Sequence, residues 1–290
     1  MTHRDSPLRD LERPARRAAS HPWIEKLARI GYAAKGIVYF VVGLLAARAA
    51  FTTGGKTTDA SGALATILYR PFGKFLLFLV AIGLFGYVLH CIVQTVFDPE
   101  RSSGGKNARR LARRLGYGFS ALVYSGLGLT AVKLIAGSGD TGGDTTRDWT
   151  ARAMAQPFGR WLVGFAGLVV IGVGISYLYS AYKAKFQRHL KQHRMGEAER
   201  RWAKGLGRFG IAARGFVFAI IGVFLCFAAL HADPNEARGS GETLAVLGAR
   251  PFGPWILGTV ASGFIAYSIY CAIEARYRRI VPPRSNGTGS

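Results

Sequence analysis

The chain has 290 residues, half of them apolar, with 38 Lys plus Arg against 16 Asp plus Glu and a formal charge of +22. On a soluble chain that charge would point to nucleic acid. Here the apolar residues gather into runs of about 20, the length that crosses a hydrocarbon core, so a membrane bundle displaces the nucleic-acid reading. Six runs stand out, at roughly 32–51, 75–97, 117–136, 161–182, 211–231 and 255–273, and their interiors carry no Asp or Glu.

In chain order, residues 1–28 are polar and basic, interrupted by Pro7, Pro14 and Pro22, and lack the apolar core of a signal peptide. They are expected to form a disordered cytoplasmic tail. A first two-span unit occupies 29–100. It begins at Arg29 and Gly31, carries Lys35 within its first span, and repeats Val-aromatic at Val38 and Tyr39 ahead of Gly43. Its loop, "DASGALATILYR", reads as a short amphipathic helix with Leu64, Ile67 and Leu68 on one face, turned toward lipid or the bundle, and Ser61, or Ser240 in the third copy, placed to cap its start. Pro71-Phe72-Gly73 then precedes the returning span.

A basic linker at 101–113 leads to a second unit at 114–186. Arg114, Gly116, Val123, Tyr124 and Gly128 repeat the first pattern, and Pro157-Phe158-Gly159 repeats the corner. A second linker, 187–207, holds His189 and His193, four apart and so able to share a helical face. The third unit, 208–279, has Arg208, Gly210, Arg214, Val217, Phe218 and Gly222, then Pro251-Phe252-Gly253. Residues 280–290 read as a second disordered tail.

Three copies of a two-helix unit share one orientation, so the expected fold is all-α: a six-span transmembrane helical bundle of three parallel two-helix repeats in a pseudo-threefold arrangement. Charge sets the direction. Segments on the side of the termini hold 26 of the 38 basic residues and the three alternate loops hold 8. Cytoplasmic loops retain Lys and Arg, which puts both termini in the cytoplasm. Cys91, Cys226 and Cys271 all fall inside spans, where free Cys behaves as a small apolar residue rather than part of a disulfide framework.

An Arg-x-Gly-Tyr start, with its Arg-x-Gly present in triplicate, a small-residue-rich helix and the Pro-Phe-Gly corner, also in triplicate, resemble the DUF1206 family of bacterial membrane proteins over roughly 29–279. The resemblance implies a bacterial cytoplasmic membrane, six spans and no known activity. The second copy departs from the pattern at Ser120, where the others have Lys35 and Arg214. The third has Ile211 in place of Tyr32 and Tyr117.

Pro-Phe-Gly has a sufficient structural reading. Proline disfavours helix at the preceding residue and is preorganised for the first turn of the next helix. The phenylalanines, with Trp161 and Trp255, suit the headgroup level, and the glycine is expected to permit the tight turn. The span glycines, Gly36, Gly43, Gly83, Gly126, Gly172 and Gly263 among them, read as close-packing positions.

Four cations fall inside spans, Lys35, Arg48, Lys133 and Arg214. Two readings stand open for them. All four reach an interface by snorkelling, or Lys35 and Arg214 join Arg29, Arg114 and Arg208 in a basic ring at the cytoplasmic leaflet that binds anionic lipid headgroups. His90 lies toward the cytoplasmic side and His231 toward the outside, too far apart to share a metal. No Ser-His-Asp set, paired carboxylates, Cys-His pair or HExxH can be assembled. Asp140, Asp144 and Asp148 sit in a Gly-Thr-rich outer loop and read as solvated. The expectation is a non-enzymatic protein with no cofactor, metal or nucleic acid, whose partners are membrane lipids, a membrane protein or further copies of itself. The alternative is a channel or small-solute carrier along the pseudo-threefold axis, with Ser120, Thr130, Ser176 and Ser268 lining its path.

Overall fold

The structure is a computed structural model that describes residues 22–52, 57–97, 107–138, 145–184 and 195–277. Most of the two expected tails, much of both linkers, His189, His193, Asp140 and Asp144 lie outside the described residues. Within them all regular structure is helical. The six long helices are α1 (Pro22–Phe51), α3 (Gly73–Phe97), α4 (Asn107–Ile135), α6 (Gly159–Lys183), α7 (Glu197–His231) and α9 (Gly253–Tyr277). Three short helices precede the returning members: α2 (Ala60–Leu68), α5 (Thr145–Met154) and α8 (Ser240–Gly248). Each long helix is long and apolar enough to cross a membrane, so the chain is a multi-pass membrane protein. At 1.5 Å per residue a 25-residue helix is about 37 Å long, ample for a core about 30 Å thick.

The helices close on each other in a definite order. α3 packs along α4, α6 along α7 and α9 along α1. Each of these interfaces joins the returning helix of one repeat to the first helix of the next, so a cyclic permutation of the repeats relates all three. This is the pseudo-threefold bundle. Its α6–α7 seam shows how lipid-embedded helices approach without a hydrophobic drive. A Cβ built on Gly174 would lie 2.8 Å from the Gly215 carbonyl oxygen, and one on Gly222 would lie 2.7 Å from that of Gly167. Only glycine allows that spacing.

Contacts within repeats are less even. α1 packs on α3 and α7 on α9, but α4 and α6 do not pack along one another. The ring of six is therefore open on one side, inside the middle repeat. Burial follows: 56% of the best-spanning window is buried in α3 and α9, against 33% in α4 and 22% in α6.

The short helices α2 and α8 turn their apolar faces to the bundle rather than to lipid, with Leu64 and Leu244 completely buried, whereas α5 leaves Trp149 exposed. Their caps differ from the expectation. Asp59, not Ser61, caps α2 by accepting from the Gly62 N–H at 2.8 Å. In α8 the cap position is Gly239, and Ser240 is already helical. Asp outcompetes Ser here because it stands at the non-helical residue from which its carboxylate reaches the first-turn N–H groups.

The corner is also built differently from expectation. The left-handed residue is the phenylalanine, with φ 59° at Phe72, 61° at Phe158 and 62° at Phe252. The following glycine donates its N–H to the residue before the proline, at 2.7 Å to Arg70 O, 2.9 Å to Gln156 O and 2.7 Å to Arg250 O. That glycine is needed for space rather than for φ. A Cβ on Gly73, Gly159 or Gly253 would overlap a carbonyl of the preceding short helix, at Leu68, Ala153 and Gly248 respectively. A left-handed L-residue costs about 1–2 kcal/mol, and the chain incurs that cost three times. In return each phenylalanine stands about four-fifths exposed at the hairpin end, beside Trp161 and Trp255, where aromatic rings favour the membrane interface.

Candidate functional site

Lys35 and Arg214 do not snorkel. They are 3% and 5% exposed, six residues inside Arg29 and Arg208 and so about 9 Å deeper along their helices. Arg48 and Lys133, at the opposite ends of their spans, are exposed and behave as snorkelling predicts.

What surrounds the buried pair is a cage to which every long helix contributes a ring. Lys35 Nζ lies 4.8 Å from the Tyr87 ring centre, 5.4 Å from Tyr124 and 5.2 Å from Tyr267. The Arg214 guanidinium lies 5.2 Å from Tyr39, 4.9 Å from Tyr177, 5.2 Å from Phe218 and 5.3 Å from Tyr267. Tyr39 is on α1, Tyr87 on α3, Tyr124 on α4, Tyr177 on α6, Phe218 on α7 and Tyr267 on α9. Edge-to-face contacts brace the rings, 4.8 Å between centres for both Tyr39–Tyr267 and Tyr87–Tyr124.

Phenols are the hydrogen-bond partners of both cations. Lys35 Nζ donates to Tyr87 Oη at 3.3 Å, and Arg214 donates to Tyr267 Oη at 2.7 Å and to Tyr124 Oη at 3.5 Å. Arg214 Nε is buried with no hydrogen-bond partner. Each cation thus has the faces and oxygens of aromatic side chains around it, and the two share a small volume. Among the described residues the buried acidic side chain is Glu274, which acts electrostatically on Lys35.

Glu274 corrects the reading that the spans lack acidic residues. It lies one residue beyond the expected end of the last run, but α9 continues to Tyr277 and keeps its carboxylate only 4% exposed. The run was cut short because a hydropathy boundary stops at the first charge, whereas the helix and its packing do not. The aromatic half of the cage had a partial signal. Tyr39, Tyr124 and Phe218 each follow Lys35, Ser120 and Arg214 by four residues, one helical turn on the same face. Tyr87 and Tyr267 share a position 16 residues after their prolines, where the middle repeat has Val173. Nothing local in the sequence linked these rings to the cations across helices.

The other three basic residues stand apart from this pair. Arg114 donates through Nε to Thr95 O at 2.6 Å and through a terminal nitrogen to Val96 O at 3.3 Å, at the last turn of α3. Arg208 donates to Ala181 O at 3.2 Å, in the last turn of α6. In both cases the first helix of a repeat covers last-turn carbonyls of the returning helix before it, where a positive charge also suits the helix dipole. Arg29 is half-buried at the corresponding start of α1. Thus the structure brings together two of the five basic residues and distributes the others around the basic end. His90 is buried among Tyr32, Tyr87 and Tyr117, with ring centres 5.8, 6.4 and 6.4 Å away. His231 pairs with Glu236 at 2.7 Å at the hairpin end.

Three stretches of the sequence, 30–98, 115–184 and 209–278, match one family described as a Domain of Unknown Function, DUF1206. The chain belongs to the DUF1206 family. The cage is therefore a feature of one DUF1206 protein, built where its three repeats meet. An uncharacterised protein of Bacillus subtilis (strain 168), YxxB, is 37% identical over 259 residues, which cover 89% of this chain and 93% of that protein. No solved structure matches.

Proposed function

We propose that this protein is a non-enzymatic component of the bacterial cytoplasmic membrane, with both termini in the cytoplasm, that holds an anionic lipid. The observation that carries the reading is the Lys35–Arg214 pair: two buried cations at equivalent repeat positions, set among six aromatic rings and hydrogen-bonded to phenols. A basic side chain deep in a membrane costs about 2.5–3.5 kcal/mol on insertion scales. A desolvated cation–π contact returns about 2 kcal/mol, which accounts for holding either cation alone. Placing two together adds a repulsion that rings and phenols leave in place. Glu274 offsets part of it, and an anionic headgroup offsets the rest. The excess of Lys and Arg on the side of the termini favours the inner leaflet, where anionic lipid is available.

The axial channel reading has less support. Ser268 is buried and donates to Ile265 O of its own helix, Thr130 donates to Gly126 O, and Ser176 is exposed. The Ser268 and Thr130 hydroxyls satisfy their own helices, and six aromatic rings crowd the level of the cations.

The experiment is lipid co-purification with the Lys35→Gln/Arg214→Gln double variant. Loss of bound anionic lipid, with thermal stability kept or raised, is the expected result. Wild-type lipid content in a folded double variant overturns the reading.

A further inference from the structure

The middle repeat differs from its neighbours in packing and in charge, and both differences face the same opening. In the first repeat a Cβ on Gly31 would lie 2.6 Å from Tyr87 N, and in the third a Cβ on Gly210 would lie 2.5 Å from Tyr267 N. These contacts lock α1 to α3 and α7 to α9. The matching glycine of the middle repeat, Gly116, has nothing within 4 Å of its Cβ position. The residue that should meet it, Val173 on α6, replaces the tyrosine of the other copies, and α4 and α6 do not pack.

One turn beyond Gly116, on the same face of α4, stands Ser120, the third counterpart of Lys35 and Arg214. The cation triangle therefore has an uncharged corner on the side where the helix ring is open. At the hairpin end the outer segments of different repeats are tied to one another. There Arg147 on α5 pairs with Glu242 on α8 at 2.7 Å, and Thr57 donates to Gly241 O at 2.9 Å.

We propose that the α4–α6 gap is a lateral portal for an anionic phospholipid, whose phosphodiester approaches Lys35 and Arg214 past Ser120 while an acyl chain lies between α4 and α6. This rests on the lipid-holding reading and adds to it the route and the headgroup. Charge complementarity selects the occupant. A guanidinium with an unpartnered Nε beside an ammonium suits a phosphate, which accepts several charge-assisted hydrogen bonds at once. The apolar walls, Val123 on α4 and Val169 on α6 among them, are exposed along the span and suit a chain rather than an inorganic ion.

The test is native mass spectrometry of the full chain released from nanodiscs of mixed phosphatidylglycerol and phosphatidylcholine. Three proteins are compared: wild type, Gly116→Phe and Lys35→Gln/Arg214→Gln. Wild type should retain one phosphatidylglycerol through detergent washing. Gly116→Phe should melt at the wild-type temperature, because its side chain enters open space, yet retain about tenfold less of that lipid. Val173→Trp supplies the same obstruction from α6 should Gly116→Phe not fold.

Full retention in the portal variants, with loss only in the double cation variant, overturns the portal and leaves the lipid-holding reading standing. Full retention in all three overturns both. Equal retention of phosphatidylcholine, displacement of the adduct by inorganic phosphate, or a protein dimer that Gly116→Phe separates without any lipid change overturns the phospholipid occupant.

Discussion

The first and third repeats pack their two long helices in the same way, and the middle repeat does not, although all three carry the same sequence signature. Gly31 and Gly210 press on the backbones of Tyr87 and Tyr267, while Gly116 presses on nothing. Gly83 and Gly263 oppose the alanines Ala34 and Ala213 in the same reciprocal way, and the middle repeat has Val169 at the matching position. The shared glycine is therefore a licence for close approach, which takes effect only where the partner helix supplies the complementary surface. A hairpin closes when both sides fit, and two changed positions on the returning helix, Val169 and Val173, leave the other side unused.

The largest effect that would break this comparison is a leucine at the three matching glycines. Gly31→Leu and Gly210→Leu drive a side chain into backbone and should cost 3 kcal/mol or more, at or above the top of the usual overpacking range. Gly116→Leu should stay within about 0.5 kcal/mol of wild type, as substitutions in open positions do. Thermal unfolding in one detergent compares them directly, and equal losses at all three sites would show that the middle hairpin closes after all.

The corner provides the matching control, because there the three repeats agree. Gly73→Ala, Gly159→Ala and Gly253→Ala each meet a carbonyl of the preceding short helix and should each cost about 2–3 kcal/mol. A marked inequality among the three melting shifts would mean that the corner is not equivalent across repeats.

A smaller effect concerns charge. Ser120→Lys restores the missing cation on the open side, and the electrostatic gain of about 1 kcal/mol per basic group near anionic lipid corresponds to roughly fivefold stronger retention of phosphatidylglycerol. Unchanged retention would separate the charge asymmetry from lipid binding. The smallest effect is at the clasp between repeats. A double-mutant cycle on Arg147 and Glu242, a half-buried pair, should give a coupling of about 0.5–1 kcal/mol. A coupling near zero would mean that packing, such as that of Thr146 against Gly239, rather than this ion pair ties α5 to the third repeat.

The sequence by itself determined the spans, the repeat and the corner. Lipid imposes a run of about 20 apolar residues on any crossing helix, and a duplicated unit repeats its glycines, prolines and aromatics in register, so both are visible along the chain. Even so, the corner's strain sat on Phe72, Phe158 and Phe252, where φ preferences alone would have placed glycine, because contact with the preceding helix had already claimed the glycine. Only the tertiary structure decided that Lys35 and Arg214 turn inward, that Tyr87, Tyr177 and Tyr267 meet them from other helices, and that Glu274 is buried. It also decided that α4 and α6 stand apart. These are properties of pairs of helices brought side by side. Hydropathy and spacing describe one helix at a time, so they fix which residues share a face and leave open what that face will meet.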